Sequence, residues 1–170
     1  MTNLIKVIDR SDHLEPAKKS LFNIVAEFLD GCNLCYQADP KIGCFEFRID
    51  IQYTSVQVII NIEERDNWQR ITACSVFPVK TPEQRRSAIT NATNRINTSL
   101  PYGSIEMDID SGEIRVRTTI ETDSVVTEGI IENIVDTTLS ISNKYFVSLM
   151  AVAFCGSDTN LAACRTYSAD

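Results

Sequence analysis

Hydrophobic positions recur at two different periods along this chain, and the switches between them divide it into elements. Phe45, Phe47, Ile49, Ile51 and Tyr53 alternate with Glu46, Arg48, Asp50 and Gln52. Val56, Val58, Ile60 and Ile62 repeat that period. Ile71, Ala73, Ser75 and Phe77 carry it less regularly through a third run, from about Trp68 to Phe77. Side chains alternate across a strand, so each run has one apolar and one polar face. Thr54-Ser55 and Glu64-Arg65-Asp66-Asn67 are the turns expected between these strands.

Two more strands follow. Ile105, Met107 and Ile109 alternate with acidic residues, and Ile114, Val116, Thr118 and Ile120 alternate with Glu113, Arg115, Arg117 and Thr119. Ser111-Gly112 suits a two-residue hairpin turn, with glycine supplying positive φ. That turn sets Ile109 against Ile114 and Met107 against Val116. On the polar side it sets Asp108 against Arg115 and Glu106 against Arg117.

Three segments keep helical spacing instead. The first runs from about Glu15, with Pro16 in its first turn, apolar Leu21, Ile24, Val25, Phe28 and Leu29, and Gly31 as its stop. In the second, Thr81-Pro82-Glu83-Gln84 reads as a capping box with proline in the first turn. The stripe Ala88, Ile89, Ala92 and Ile96 follows, and Pro101 and Gly103 end the segment. The third begins near Thr127 and carries Ile130, Ile131, Ile134, Val135, Thr138, Leu139, Tyr145, Leu149, Val152 and Ala153. Ser140 to Asn143 marks a point where it kinks or restarts, and Gly156 ends it. The order α-β-β-β-α-β-β-α predicts an α+β fold: a five-stranded antiparallel sheet with helices on one face. Residues 1–170 are expected to form one domain, with 1–13 as an N-terminal arm around Leu4, Ile5, Val7 and Ile8, and 157–170 as a polar tail.

Composition narrows the chemistry. The chain has 170 residues, 44% hydrophobic, and a net charge of −7. That balance argues against nucleic acid, which is bound through cationic side chains. The longest apolar run is Leu149 to Phe154, too short for a membrane span, and the first ten residues lack a secretory signal, so a cytoplasmic location is expected. Cys32-x-x-Cys35, with Cys44 nearby, has metal or redox spacing. The only histidine, His13, is remote in sequence, and the pair follows a helix instead of joining a strand to one, which favours reduced thiols. Asp108-Ile-Asp110-Ser-Gly112 hints at a calcium loop, but Thr119 stands where the bidentate glutamate belongs, and a hairpin turn explains every residue. No nucleophile–base pair and no phosphate loop is visible, so neither catalysis nor a cofactor is expected.

One part of the polar sheet face breaks the pattern. Ile59 sits between Gln57 and Asn61, and Cys74 and Val76 lie on the corresponding face of the third strand, with Trp68 bordering them. Ile59, Trp68, Cys74 and Val76 are a candidate partner-binding patch, unless the arm Leu4–Ile8 or the tail covers them.

Phe77-Pro-Val-Lys-Thr-Pro-Glu-Gln-Arg-Arg, Arg95-Ile-Asn-Thr-Ser-Leu-Pro-Tyr-Gly-Ser-Ile-Glu-Met-Asp and Ser111-Gly-Glu-Ile-Arg-Val-Arg together resemble the bacterial YbjN-like proteins, especially their cyanobacterial members. Asn143-Lys-Tyr-Phe through Phe154-Cys-Gly is similar to that family's last helix, and the likeness extends over roughly residues 15–160. Ser157-Asp158-Thr159 departs from the Ser-Pro of the relatives. The resemblance implies a type III secretion chaperone-like fold, a role in sensory transduction regulation, and no catalytic residues. The expected function is a non-enzymatic adaptor or chaperone-like module that binds another protein, as a homodimer. The alternative is a small-molecule or metal sensor using Cys32, Cys35 and Cys44.

Overall fold

The structure, a computed structural model, describes residues 20–156. The expected arm, the tail, His13 and Cys164 lie outside the described residues. Helix α1 (Leu21–Gly31) leads into strands β1 (Tyr36–Asp39), β2 (Cys44–Ile51), β3 (Thr54–Glu64) and β4 (Gln69–Lys80). Helix α2 (Arg86–Asn97), strands β5 (Ser104–Met107) and β6 (Glu113–Thr122), and helix α3 (Glu128–Phe154) follow. The strands form one antiparallel sheet in the order β1-β2-β3-β4-β6-β5.

The alternation places the core as read. Val56, Val58, Ile60, Ile71, Ala73, Ser75, Phe77, Ile114 and Val116 are buried on the face that the helices cover. Leu21, Val25 and Leu29 of α1 and Ile89, Ala92 and Ile96 of α2 are buried against it. Among the described residues no helix is long and apolar enough to cross a membrane.

The sheet has six strands where alternation predicts five. The extra strand, β1, is a short polar edge with Tyr36 opposite Phe47. Its anchor is one side chain. The Tyr36 ring lies 5.7 Å from that of Phe45, and its hydroxyl donates to Asp30 at 3.0 Å. The β2–β3 turn is Gln52–Tyr53, with Ile51 opposite Thr54, so Thr54 and Ser55 are strand residues and not the turn.

Helix α1 is capped at Ser20, which is extended and whose hydroxyl accepts from the Asn23 amide, while the expected start near Glu15 and Pro16 lies outside the described residues. Its stop is Asn33 and not Gly31. Asn33 adopts φ 54°, its amide bonds Asp30 O and the Leu34 amide bonds Leu29 O, the paired pattern of a Schellman close.

The capping box at Thr81 does not form. The Thr81 amide is held by Gly112 O at 2.7 Å, Pro82 is extended, and residues 83–85 make a 3₁₀ turn before α2 begins at Arg86. The hairpin itself has claimed the residue that the capping box requires. Arg85 donates to Val152 O at 2.9 and 2.6 Å, tying this turn to the end of α3.

The β5–β6 register is displaced by two residues from the expected one: Met107 faces Ile114, Ile105 faces Val116 and Glu106 faces Arg115. Residues 108–112 form the loop. Asp108 Oδ1 accepts from the Asp110 and Ser111 amides at 3.0 and 2.8 Å, and its own backbone bonds Glu113 and Gly112. An aspartate-built turn has displaced the two-residue turn. Ile109 is therefore 57% exposed instead of packed on Ile114. A shift of two preserves both faces, so the alternation cannot distinguish the two registers.

Helix α3 is continuous through Ser140–Asn143. Thr138 and Ser142 turn their hydroxyls to Ile134 O and Thr138 O, each at 2.8 Å, and the Asn143 side chain accepts from the Gln52 amide of the β2–β3 turn. These polar side chains find partners without breaking the helix.

Candidate functional site

The face of the sheet opposite the helices is built from the even-numbered residues of β2, β4 and β5 and the odd-numbered residues of β1, β3 and β6. No described element covers it. Its two ends are polar. At one end Arg70 binds Glu63 at 3.0 Å and Glu121 at 2.6 Å, and the Thr72 and Thr119 hydroxyls lie 3.0 Å apart. Toward the β5 edge Arg115 binds Glu106 at 3.1 Å, and Arg117 binds the other oxygen of the same carboxylate.

Between these ion pairs runs a short apolar strip. Ile59 is paired directly with Cys74, and Val76 follows Cys74 on the same face, opposite Gln57. Ile59 and Val76 are half-buried, and Cys74 is buried by its neighbours. Burial pushes the Cys74 thiol above its ordinary range, against the opposing pull of Arg115. This strip holds three of the four candidate patch residues.

Trp68 stands apart. It shares the face but precedes Cys74 by six residues, about 20 Å of strand. Arg70 lies over its ring at 4.9 Å, and the Arg70–Glu63–Glu121 and Thr72–Thr119 pairs separate it from the strip.

Register brings in residues that alternation alone does not reveal. Glu46, Ile59, Cys74 and Arg117 form one row across the sheet, and Arg48, Gln57, Val76 and Arg115 form the next. A shallow cavity of about 410 Å³ opens beside the second row, lined by Cys35, Tyr36, Gln37, Glu46, Arg48 and Gln57. The signals that could have found this arrangement are the arginines within period-two runs, but they have no meaning until the strand order is known.

Among the described residues the cysteines do not assemble into a metal-binding group. Cys32 and Cys35 are exposed after α1. Cys44 is buried opposite Asp39, four residues further along β1 from Cys35. Burial, then Glu46 and Asp39, raises the Cys44 thiol above its ordinary value. Among the described residues no group of three or more metal-ligating side chains is arranged to hold a metal ion. Asp108 is occupied by its own loop. The Ser111 backbone amide, above all, holds its carboxyl below the ordinary aspartate value.

Comparison with known proteins bears on fold and family. The YbjN family model, described as "Putative bacterial sensory transduction regulator", matches residues 23–149. No curated protein matches the sequence. Among solved structures, the ExsC–ExsE complex is similar at TM-score 0.50 and 15% identity, over 75% of this chain and 92% of that one. YbjN from E. coli is similar at TM-score 0.48 and 10% identity, over 75% and 92%. The HopA1–SchA chaperone–effector complex is similar at TM-score 0.46 and 11% identity, over 73% and 91%. The fold is the α+β type III secretion chaperone-like one.

Proposed function

Because this chain belongs to the YbjN family, we propose that it is a non-enzymatic cytoplasmic protein that binds another protein, as a chaperone-like or regulatory adaptor. Residues 1–170 act as one domain and work as a homodimer, an assignment by analogy of fold. The docking site is the strip Ile59–Cys74–Val76. The observation that carries this reading is the strip itself: an apolar band on an open sheet face that is otherwise ion-paired and polar. The structure that shares its fold at TM-score 0.50 is a complex of two proteins, in keeping with such a role.

The test is an affinity pulldown from native lysate with the wild-type chain, Ile59→Asp and Trp68→Ala. A partner lost with Ile59→Asp and kept with Trp68→Ala, at unchanged thermal stability of the bait, is the expected result. A partner held equally by all three chains removes the strip as the docking site.

A further inference from the structure

The two ends of the sheet are finished differently. At the β5 end the Asn97 side chain of α2 stands in for a further strand. Its amide donates to Ile105 O and its oxygen accepts from the Ile105 N–H, each at 2.9 Å. That edge is closed to strand addition. At the β1 end no described element pairs with the outer side of the strand.

The hairpin beside β1 decides which of its groups face outward. Ile62 donates to Gly43 O, so the Cys44 N–H, on the other side of the same peptide plane, points toward β1. Cys44 is opposite Asp39 and Glu46 is opposite Gln37, so Asp39 and Gln37 turn their backbone groups to β2. Tyr36 and Ala38 turn theirs outward, and neither finds a backbone partner there among the described residues.

A second copy of the chain completes all of these groups. With the two β1 strands antiparallel about a two-fold axis at Gln37, Tyr36 of each copy lies opposite Ala38 of the other, and the two residues exchange both bonds. Leu34 then meets Pro40, and neither has a donor to lose: the Leu34 amide is held by Leu29 O, and proline has no N–H. Moving the axis to Tyr36 sets Ala38 against Leu34, and moving it to Ala38 sets Tyr36 against Pro40. Each leaves a carbonyl without a donor.

Charge favours the same register. It sets Cys35 opposite Asp39 of the second copy. Cys35 and Arg48 line the same cavity in neighbouring strand positions, so that Asp39 lies two interstrand steps from Arg48. The backbones are about 10 Å apart, a gap that the long arginine spans over the small cysteine. Arg48 stands between Glu46 and Asp50 on that face and makes an ion pair with neither. The two-fold repeats the Arg48–Asp39 contact.

We infer that this protein dimerises through β1, two copies joining their sheets edge to edge about Gln37 with Arg48 of each on Asp39 of the other. This rests on the homodimer reading, and it adds the surface and the register. Sedimentation velocity over a concentration series compares the wild type with Ala38→Pro, Arg48→Asp and the exchange Arg48→Asp with Asp39→Arg, each checked by thermal melting. Ala38→Pro removes an outward donor and no bond within the sheet. The expected result is a wild-type dimer whose association Ala38→Pro weakens about tenfold or more. Arg48→Asp weakens it as well, and the exchange restores it. A dimer untouched by Ala38→Pro overturns this surface and leaves the homodimer reading standing. Loss with Ala38→Pro but no recovery in the exchange overturns the register. A wild type that is monomeric at every concentration overturns both.

Discussion

Ile59 and Ile60 are consecutive residues on opposite faces of the same sheet, and the two faces answer to different forces. Ile60 is fully buried in the core shared with the helices. Ile59 is half-buried, with Glu46 on one side and Cys74 on the other. The inner face is held by area removed from water, about 25 cal/mol per Å², and tolerates little change. The outer face carries ion pairs such as Arg70–Glu121 and Arg115–Glu106, which water screens and which contribute little to stability. Stability thus constrains the inner residues closely and the outer ones loosely. That is why an apolar strip on the outer face is informative and an apolar stripe on the inner face is not.

The sharpest way to break this contrast is to substitute the two isoleucines. Ile60→Ala is expected to lower unfolding free energy by about 2–5 kcal/mol in urea titration, through lost transfer energy and a residual cavity. Ile59→Asp is expected to cost less than about 1 kcal/mol. Equal losses would show that the outer face is covered like the inner one.

Next in size is Gly112, which adopts φ +74°. A Cβ there would run into the Thr81 carbonyl oxygen, and backbone cannot move aside as a flexible side chain does. Gly112→Ala is expected to lower stability by about 1–3 kcal/mol. Because Gly112 ties the β5–β6 loop to the start of α2, hydrogen exchange should speed up there first and in β2–β3 last. Uniform acceleration would contradict that localisation.

The smallest effect concerns Asp108. Its carboxyl is held below its ordinary value by the Ser111 amide, the Ser111 hydroxyl and the Asp110 amide. A group whose folded value is depressed stabilises above its unfolded value and loses that contribution as pH falls through the folded one. The gap in thermal midpoint between wild type and Asp108→Ala should therefore be constant near neutrality and close in acid. A gap that persists at the lowest pH would show that the ionised carboxylate is not what Asp108 contributes to the loop.

Much of the fold was legible because the period of the apolar positions is a local property. Phe45 to Ile51, Val56 to Ile62 and Ile114 to Ile120 each disclose which side chains face inward. What was not legible depended on a contact made elsewhere. Strand β1, Tyr-Gln-Ala-Asp, carries no alternation, and only the Tyr36 ring on Phe45 shows why it joins the sheet. The capping box at Thr81 is sound chemistry in isolation, but Gly112 claims the Thr81 amide first. The serine-rich stretch of α3 looked breakable until Thr138, Ser142 and Asn143 found their partners. The candidate site divides the same way. Ile59, Cys74 and Val76 share a face by parity, whereas the separation of Trp68 and the closeness of Arg48, Arg115 and Arg117 followed from register.

By itself, then, the order of residues determined every helix and strand except β1, and the side of each of those strands that meets water, since both follow from periods of two and of 3.6 within a single segment. Only the tertiary structure decided the order β1-β2-β3-β4-β6-β5, the two-residue register of the β5–β6 hairpin and the row that runs from Arg48 to Arg115. Burial energy is indifferent to a slide of two residues, because such a slide returns the same faces to the same sides. The choice falls to a few directional contacts at the turns: the Asp108 carboxylate, which takes the Asp110 and Ser111 amides of its own loop, and the Gly112 carbonyl, whose partner Thr81 arrives only when the chain has folded.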